Sequence, residues 1–127
     1  MIKQGTILLA DYDQIIRESI EILLEDTGCN IITAKNGEEA VELAVSQKPD
    51  IIYLHYGMPK MDGLEAFLEI RKYPELKKTP IIIASASADR LEKVKEFKTG
   101  AEYCVQMPFD AREFLQKVKE LLQNKIS

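Results

Sequence analysis

Five short apolar runs alternate with five stretches of helical periodicity, and this alternation limits the possible folds more than any other feature of the chain. The predicted strands are Thr6–Ala10, Asn30–Ala34, Ile51–Leu54, Ile81–Ser85 and Tyr103–Gln106. The predicted helices cover residues 14–27, 37–47, 63–72, 88–99 and 110–124. Strand–helix units in series predict a three-layer α/β/α fold, in which helices cover both faces of a doubly wound parallel sheet. A chain of 127 residues suits one domain, so we expect residues 1–127 to fold together.

Residues that are typical of helix ends support the predicted helix boundaries. Four residues whose side chains can accept a backbone N–H each precede a helical stretch: Asp13, Asn36, Ser87 and Asp110. Gly28 and Gly100 follow the first and fourth predicted helices, where a left-handed residue is expected. In the first helix, Ile15 and Ile22 widen the apolar stripe, either as ordinary core variation or as a surface for a partner.

Composition excludes several classes of function. The chain has 17 Lys and Arg against 21 Asp and Glu, and its net charge of −4 argues against nucleic-acid binding by this domain alone. No apolar run is long enough to cross a membrane, and Met1–Thr6 lacks the apolar core of a signal peptide. Cys29 and Cys104 match no CxxC pattern, so we expect a reduced cytoplasmic protein.

The segment 49–63 carries the strongest functional signal. The predicted strand Ile51–Leu54 delivers one polar side chain, that of His55, to its C-terminal end. Gly57 and Pro59 then turn the chain towards the next helix. Ligands of open parallel sheets bind beyond the carboxyl ends of the strands, so the residue at position 55 governs the chemistry.

Seven segments, in order and with matching spacing, carry a resemblance that spans essentially the whole chain. They are ILLAD at 7–11, NGEEA at 36–40, PDII at 49–52, MPKMDG at 58–63, PIIIASA at 80–86, GA at 100–101 and PF at 108–109. Together they resemble the receiver domain of two-component response regulators. The resemblance implies a flavodoxin-like (CheY-like) sheet with strand order 2-1-3-4-5, in which Cys29 and Cys104 lie near opposite edges. Since the sequence ends soon after the fifth helix, we expect no output domain within it.

Receivers of this family take a phosphoryl group from a histidine kinase onto an aspartate at the end of the third strand. The resemblance implies a Mg²⁺ ion held by that aspartate and an acidic pair, and a hydroxyl residue and a lysine at the phosphoryl oxygens. The matching positions here are Asp11 and Tyr12 for the acidic pair, His55 for the acceptor, Ser85 for the hydroxyl and Met107 for the lysine. The aromatic switch position falls at Cys104, with Tyr103 one place earlier and facing the other side of the strand.

These departures predict that ordinary receiver chemistry is lost. An imidazole at His55 cannot form an acyl phosphate, and Mg²⁺ prefers oxygen ligands. We therefore expect no Mg²⁺ cofactor and no enzymatic activity, with Tyr12 and Met107 filling the vacated acidic pocket. One alternative is a metal ion on Asp11, Asp13 and the carbonyl of Gly57. Another is Zn²⁺ or Ni²⁺ on His55, Asp11 and Asp13, because these ligand types suit such ions.

The leading hypothesis is a pseudo-receiver that binds signalling proteins without aspartyl phosphorylation, as a monomer or weak homodimer. By resemblance, partners dock on the fourth helix, fifth strand and fifth helix, where the chain offers Lys93, Glu96, Lys98, Tyr103, Arg112 and Glu113. Two alternatives remain open: phosphate on a non-standard residue, or a metal or small molecule in the crevice around Asp11, His55 and Ser85. His55 itself is either a hydrogen-bonded residue at a strand end or a pH sensor beside Asp11.

Overall fold

A computed structural model describes residues 5–98, 100 and 102–126, with side chains given as far as residue 123. The strands are β1 (Thr6–Ala10), β2 (Asn30–Ala34), β3 (Ile51–His55), β4 (Ile81–Ser85) and β5 (Glu102–Gln106). The helices are α1 (Gln14–Leu24), α2 (Gly37–Gln47), α3 (Gly63–Ile70), α4 (Ala88–Lys95) and α5 (Ala111–Ile126). Within the described part of the chain, no helix is long and apolar enough to cross a membrane.

The sheet is parallel and has the order β2-β1-β3-β4-β5, which confirms the predicted topology. Ala10 pairs with Ala34 on one side and with Leu54 on the other, and His55 pairs with Ala84. The strands therefore end close to one another along one edge. This register places the residues that follow β1, β3 and β4 beside one another.

Two apolar clusters lie on opposite faces of the sheet, as a doubly wound fold requires. In β1, Leu8 faces the cluster that contains residues of α2, α3 and α4, while Ile7 and Leu9 face the cluster built with α1 and α5. The same alternation along β3 places Tyr53 on the α1–α5 side. Asp11 and His55 continue these two strands in phase with Leu9 and Tyr53, so the alternation directs them to the α1–α5 side.

All four predicted N-caps are confirmed. Asp13 accepts the backbone N–H groups of Ile15 and Ile16, and each of the other three caps accepts one N–H of the first turn. Gly28 has φ 75°, in the left-handed region expected after the first helix.

Three helices end earlier than predicted, each for a physical reason. Helix α1 stops at Leu24 and tightens into a 3₁₀ turn at Glu25–Thr27 before Gly28. Helix α3 cannot continue past Ile70 for long, because Tyr73 precedes Pro74 and has extended backbone angles. Beyond α4, residues 96–98 are all exposed, so no apolar burial stabilises a further helical turn.

The start of α3 packs directly on the end of β3. A methyl group on Gly63 would lie 2.6 Å from the His55 carbonyl oxygen and 2.8 Å from the Tyr56 Cα, closer than real contacts allow. The Gly63 N–H also donates to the Tyr56 carbonyl at 2.8 Å. A methyl group on Gly57 would make only ordinary contacts, the nearest at 3.6 Å.

The Gly63→Ala variant should lower the free energy of unfolding by about 2–3 kcal/mol, because the backbone it meets cannot move aside cheaply. The matched control, Gly57→Ala, should stay within about 1 kcal/mol of the wild type, since its φ is not positive and its neighbours leave room. Urea unfolding of both variants checks this difference. Equal stability of the two variants would show that α3 does not pack on β3 this closely.

Candidate functional site

Four of the predicted site residues meet at the C-terminal edge of the sheet. Asp11 follows β1, His55 ends β3, Ser85 ends β4 and Met107 follows β5. The Met107 N–H donates to the Ser85 carbonyl at 2.9 Å, which ties the ends of β4 and β5 together.

Asp11 is the buried acid of this site, with 2% of its surface exposed. Its Oδ1 accepts the backbone N–H of Asp13 at 2.9 Å, while its buried Oδ2 has no hydrogen-bond partner among the described residues. Burial raises the pKa of the Asp11 carboxyl above its ordinary value, and the charges of His55 and Arg17 oppose this rise. The guanidinium of Arg17 is anchored close by, because its Nη1 donates to the Asp11 carbonyl at 2.9 Å.

Tyr12 does not fill the acidic pocket, so that expectation is wrong. Its side chain is 64% exposed. The reason is alternation along the chain, because Asp11 points inward and its neighbour must then point outward. Asp13 is also committed elsewhere, since its Oδ1 caps α1 by accepting two backbone N–H groups.

His55 is half-buried and hydrogen-bonded within its own turn. Its Nδ1 lies 3.2 Å from both the backbone nitrogen and the carbonyl oxygen of Gly57. Nδ1 accepts the Gly57 N–H when it carries no proton, and it donates to the Gly57 carbonyl when it carries one, in a neutral or a doubly protonated ring. Burial has the larger effect on the Asp11 carboxyl and raises its pKa. The charge of His55 acts in the opposite direction and lowers that pKa.

Ser85 and Met107 have ordinary structural contacts. Ser85 is 3% exposed, and its Oγ accepts the backbone N–H of Ser87 at 3.0 Å. Met107 is half-buried and packs against the apolar cluster on the α1–α5 side, together with Phe109. The thioether of Met107 therefore packs with this cluster, whereas the Tyr12 ring is exposed.

Two residues of this region escaped the sequence analysis. Tyr53 is 1% exposed, and its ring meets Phe114 edge-on with the ring centres 5.8 Å apart. Its hydroxyl has no hydrogen-bond partner in the part of the chain that the structure describes. Burial, together with the charge of Asp11, raises the pKa of the Tyr53 phenol. Tyr53 lies two residues before His55, so strand alternation places both on the same face of β3. This spacing could have identified Tyr53 as a site residue from the sequence.

Arg90 is the second missed residue. Its guanidinium lies 5.0 Å from the centre of the Tyr56 ring, and a methyl group on Gly57 would lie 3.6 Å from its Nη1. No local sequence pattern links α4 to Gly57, so the sequence could not predict that Arg90 lies beside Tyr56 and Gly57.

The two candidate switch residues face opposite sides of β5, as alternation predicts. The Cys104 thiol lies 3.8 Å from the Leu91 carbonyl of α4, and burial raises its pKa. Tyr103 faces the other cluster, with the Lys117 ammonium 4.5 Å from the centre of its ring. Position 104, where the resemblance places the aromatic switch residue, is a cysteine in this sequence.

The donor set of this edge does not fit the Mg²⁺ site that the fold implies. Within the described residues, no group of three or more His, Cys, Asp or Glu side chains is placed to hold a metal ion. Asp11 offers one free carboxylate oxygen, and the next two residues contribute an exposed phenol and a helix cap. We therefore assign no step to a metal.

Comparison with known proteins identifies the family. The model of the response regulator receiver domain matches residues 7–119, and the chain therefore belongs to the response regulator receiver domain family. Domains of this family are generally regulatory modules of two-component signalling rather than enzymes.

Relatives and solved structures agree with this assignment. The chain is 34% identical over 117 residues to the alkaline phosphatase synthesis transcriptional regulatory protein PhoP of Bacillus subtilis, covering 92% of this chain and 48% of PhoP. It is 35% identical over 117 residues to the transcriptional regulatory protein SrrA of Staphylococcus aureus, covering 92% and 47%. The chain thus spans about half the length of these relatives. The receiver domain of a Francisella response regulator is similar with TM-score 0.84 at 29% identity, over 96% of this chain and 99% of that one.

Asp11→Asn should stabilise the protein at neutral pH. Because burial raises the folded-state pKa of Asp11, the charged carboxylate carries a cost above that pKa, and the cost disappears as pH falls towards the ordinary value of 3.8. We expect a gain of about 1 kcal/mol in the free energy of unfolding at pH 7, with the difference from wild type shrinking in acid.

Urea unfolding between pH 4 and pH 7 measures this difference, and the exposed Glu42→Gln variant of α2 provides the control. A less stable Asp11→Asn variant at pH 7 would mean that Arg17 and His55 more than compensate for burial of the charge.

Proposed function

We propose that this receiver domain signals by binding protein partners and is not phosphorylated by the aspartyl route. The observation that carries the proposal is the side chain at the end of β3. There His55 presents an imidazole whose Nδ1 is engaged with Gly57, at the position that matches the family's acceptor aspartate. An acyl phosphate requires a carboxylate, so this residue cannot form one.

The surroundings of His55 support the same proposal. Phosphoryl transfer depends on cations that neutralise charge developing on the oxygens. Met107 offers no ammonium group, and it packs into the apolar cluster instead. Asp11 alone is a weak magnesium site, because Mg²⁺ usually combines carboxylates with further oxygen ligands in an octahedral shell.

An exposed apolar strip on α1 supports a role in protein binding. Ile15 and Ile22 are 77% and 66% exposed, and their separation of seven residues places them on one side of α1. Tyr12, which precedes the helix, is 64% exposed. Ser19 lies between the two isoleucines, and its hydroxyl donates to the Ile15 carbonyl at 2.8 Å, so it needs no other partner. This face of α1 is a candidate docking surface, because exposed apolar patches commonly mark interaction sites.

The α4–β5–α5 face is the partner surface that the resemblance implies. It is largely charged, and Arg112, Glu113, Gln116, Lys117 and Glu120 line a shallow depression on α5. We therefore propose two candidate faces, an apolar one on α1 and a charged one on α4–β5–α5. The unpaired Cys29 and Cys104 fit an action in the reducing cytoplasm.

The lack of phosphorylation is tested with millimolar Mg²⁺ and a small-molecule phosphodonor, followed by intact-mass measurement. We expect no added phosphoryl mass and no upward shift of the melting temperature in Mg²⁺. His55→Asp restores a carboxylate at the acceptor position and serves as the comparison. A phosphoryl group on an aspartate of the wild-type chain would overturn the proposal.

Partner binding is tested with a photo-crosslinking residue at position 15 of α1 or position 113 of α5. We expect a discrete crosslinked partner from one face, and its loss when Ile22→Lys or Arg112→Glu, respectively, is added. Both substitutions are at exposed sites, so the melting temperature should stay close to that of the wild type. Sedimentation of the pure protein shows whether the partner is a second copy. Crosslinks from neither face would contradict the interaction role.

A further inference from the structure

One edge of the sheet is a strand without charge. Among the described residues, β2 pairs only with β1, so its other side is open. Its residues, Asn30–Ala34, include no charged side chain and no proline, and the pairing with β1 continues through all five of them without a bulge. The opposite edge strand, β5, carries Glu102. Natural proteins block pairing at exposed edges with charges, prolines or bulges, so β2 lacks the usual protection.

Two residues of β2 direct their backbone groups away from the sheet. The Asn30 N–H donates at 2.9 Å to a carbonyl just before β1, and the Ala34 carbonyl accepts an N–H just after β1 at 3.1 Å. Both residues therefore face β1, and alternation along the strand directs the N–H and C=O groups of Ile31 and Thr33 outward. This edge thus offers two donors and two acceptors to one further strand.

Side chains of the protein itself limit this open stretch at both ends. Before β2, the Cys29 N–H donates to the Thr27 hydroxyl at 3.1 Å. After β2, the Lys35 N–H donates to the Glu39 carboxylate at 3.2 Å. The open edge therefore accommodates a short extended segment about as long as β2 itself.

The helices on the two faces of β2 make this region acidic. Ile32 packs with residues of α2 in one apolar cluster and Ile31 with residues of α1 in the other, so β2 lies between the two helices. Residues 14–47, from the start of α1 to the end of α2, contain seven Asp and Glu but two Lys and Arg, a net charge of −5. The whole chain has a net charge of −4, so this region carries all of its excess negative charge. A positively charged strand is the complementary partner.

We propose that β2 binds an extended, positively charged segment of a partner protein as a sixth strand of the sheet. The outward backbone groups of Ile31 and Thr33 hydrogen-bond the added strand, and the acidic helices attract its Lys or Arg side chains. A second copy of this chain is a poorer occupant, because pairing β2 with β2 would bring two acidic surfaces together. The edge is separate from the α1 and α4–β5–α5 faces, so this binding goes beyond the proposed function.

The test is an NMR titration of the full chain with blocked peptides in which lysine alternates with threonine over about eight residues, an ordinary strand length. We expect saturable shifts of the Ile31 and Thr33 amides. A peptide with glutamate in place of lysine should not bind. A lysine–threonine peptide with methylated backbone nitrogens keeps the charge but cannot donate to the edge, and should bind about tenfold more weakly or worse.

A pair of variants at one position tests the edge from the side of the protein. Thr33→Pro removes an outward N–H at an edge strand, where proline is tolerated, and should weaken binding of the lysine–threonine peptide about tenfold. The matched control, Thr33→Val, keeps that N–H and should bind like the wild type. Thermal melts establish that both variants are folded.

Binding of the methylated peptide as tight as that of the unmethylated one, or no shift at Ile31 and Thr33, would overturn the inference. If Thr33→Pro does not fold, the two peptides decide the question on the wild type. Self-association of the pure wild type in sedimentation that Thr33→Pro abolishes would contradict the choice of occupant. Crosslinking from positions 15 and 113 tests the other two faces, so a failure at β2 is distinguishable from a failure of the proposed function.

Discussion

The backbone hydrogen bonds of residues 56–63 hold the functional edge of the molecule in place. The Tyr56 N–H donates to Ala84 at the end of β4, and the Tyr56 carbonyl accepts the N–H of Gly63. The Met61 carbonyl accepts the N–H of Gly37, which joins the start of α2 to the same segment. Because this turn is fixed on three sides, His55 and Gly57 have defined positions beside Asp11 and beneath Arg90.

The crevice is a polar site whose charges only partly compensate one another. Asp11 and Tyr53 each bury an oxygen that no described residue hydrogen-bonds, and such burial costs about 1–3 kcal/mol for each group. Arg17 and His55 relieve part of the cost at Asp11. Mg²⁺ usually takes several oxygen ligands, whereas the described part of the chain brings no group of three or more metal-ligating side chains together. That difference in chemistry underlies the proposed function.

The crevice and the charged partner face share helix α4. Arg90 overlies Tyr56 at the crevice, and the next residue, Leu91, receives the contact of the Cys104 thiol through its carbonyl oxygen. A protein partner on the charged face can shift a conformational equilibrium only if it binds the two states of α4 with different affinity. The apolar strip on α1 lies on a different helix, whose N-cap Asp13 donates its backbone N–H to Asp11.

Local sequence patterns determined the strand–helix alternation, the four N-caps and the polar histidine at the end of the third strand, because each depends on residues close together in the chain. The strand order followed from resemblance to a family, and the structure confirmed it. Only the tertiary structure decided that Tyr12 points outward, that Tyr53 shares a buried environment with Asp11, and that Arg90 reaches the Gly57 turn. These arrangements join residues far apart in sequence, and packing between separate elements fixes them.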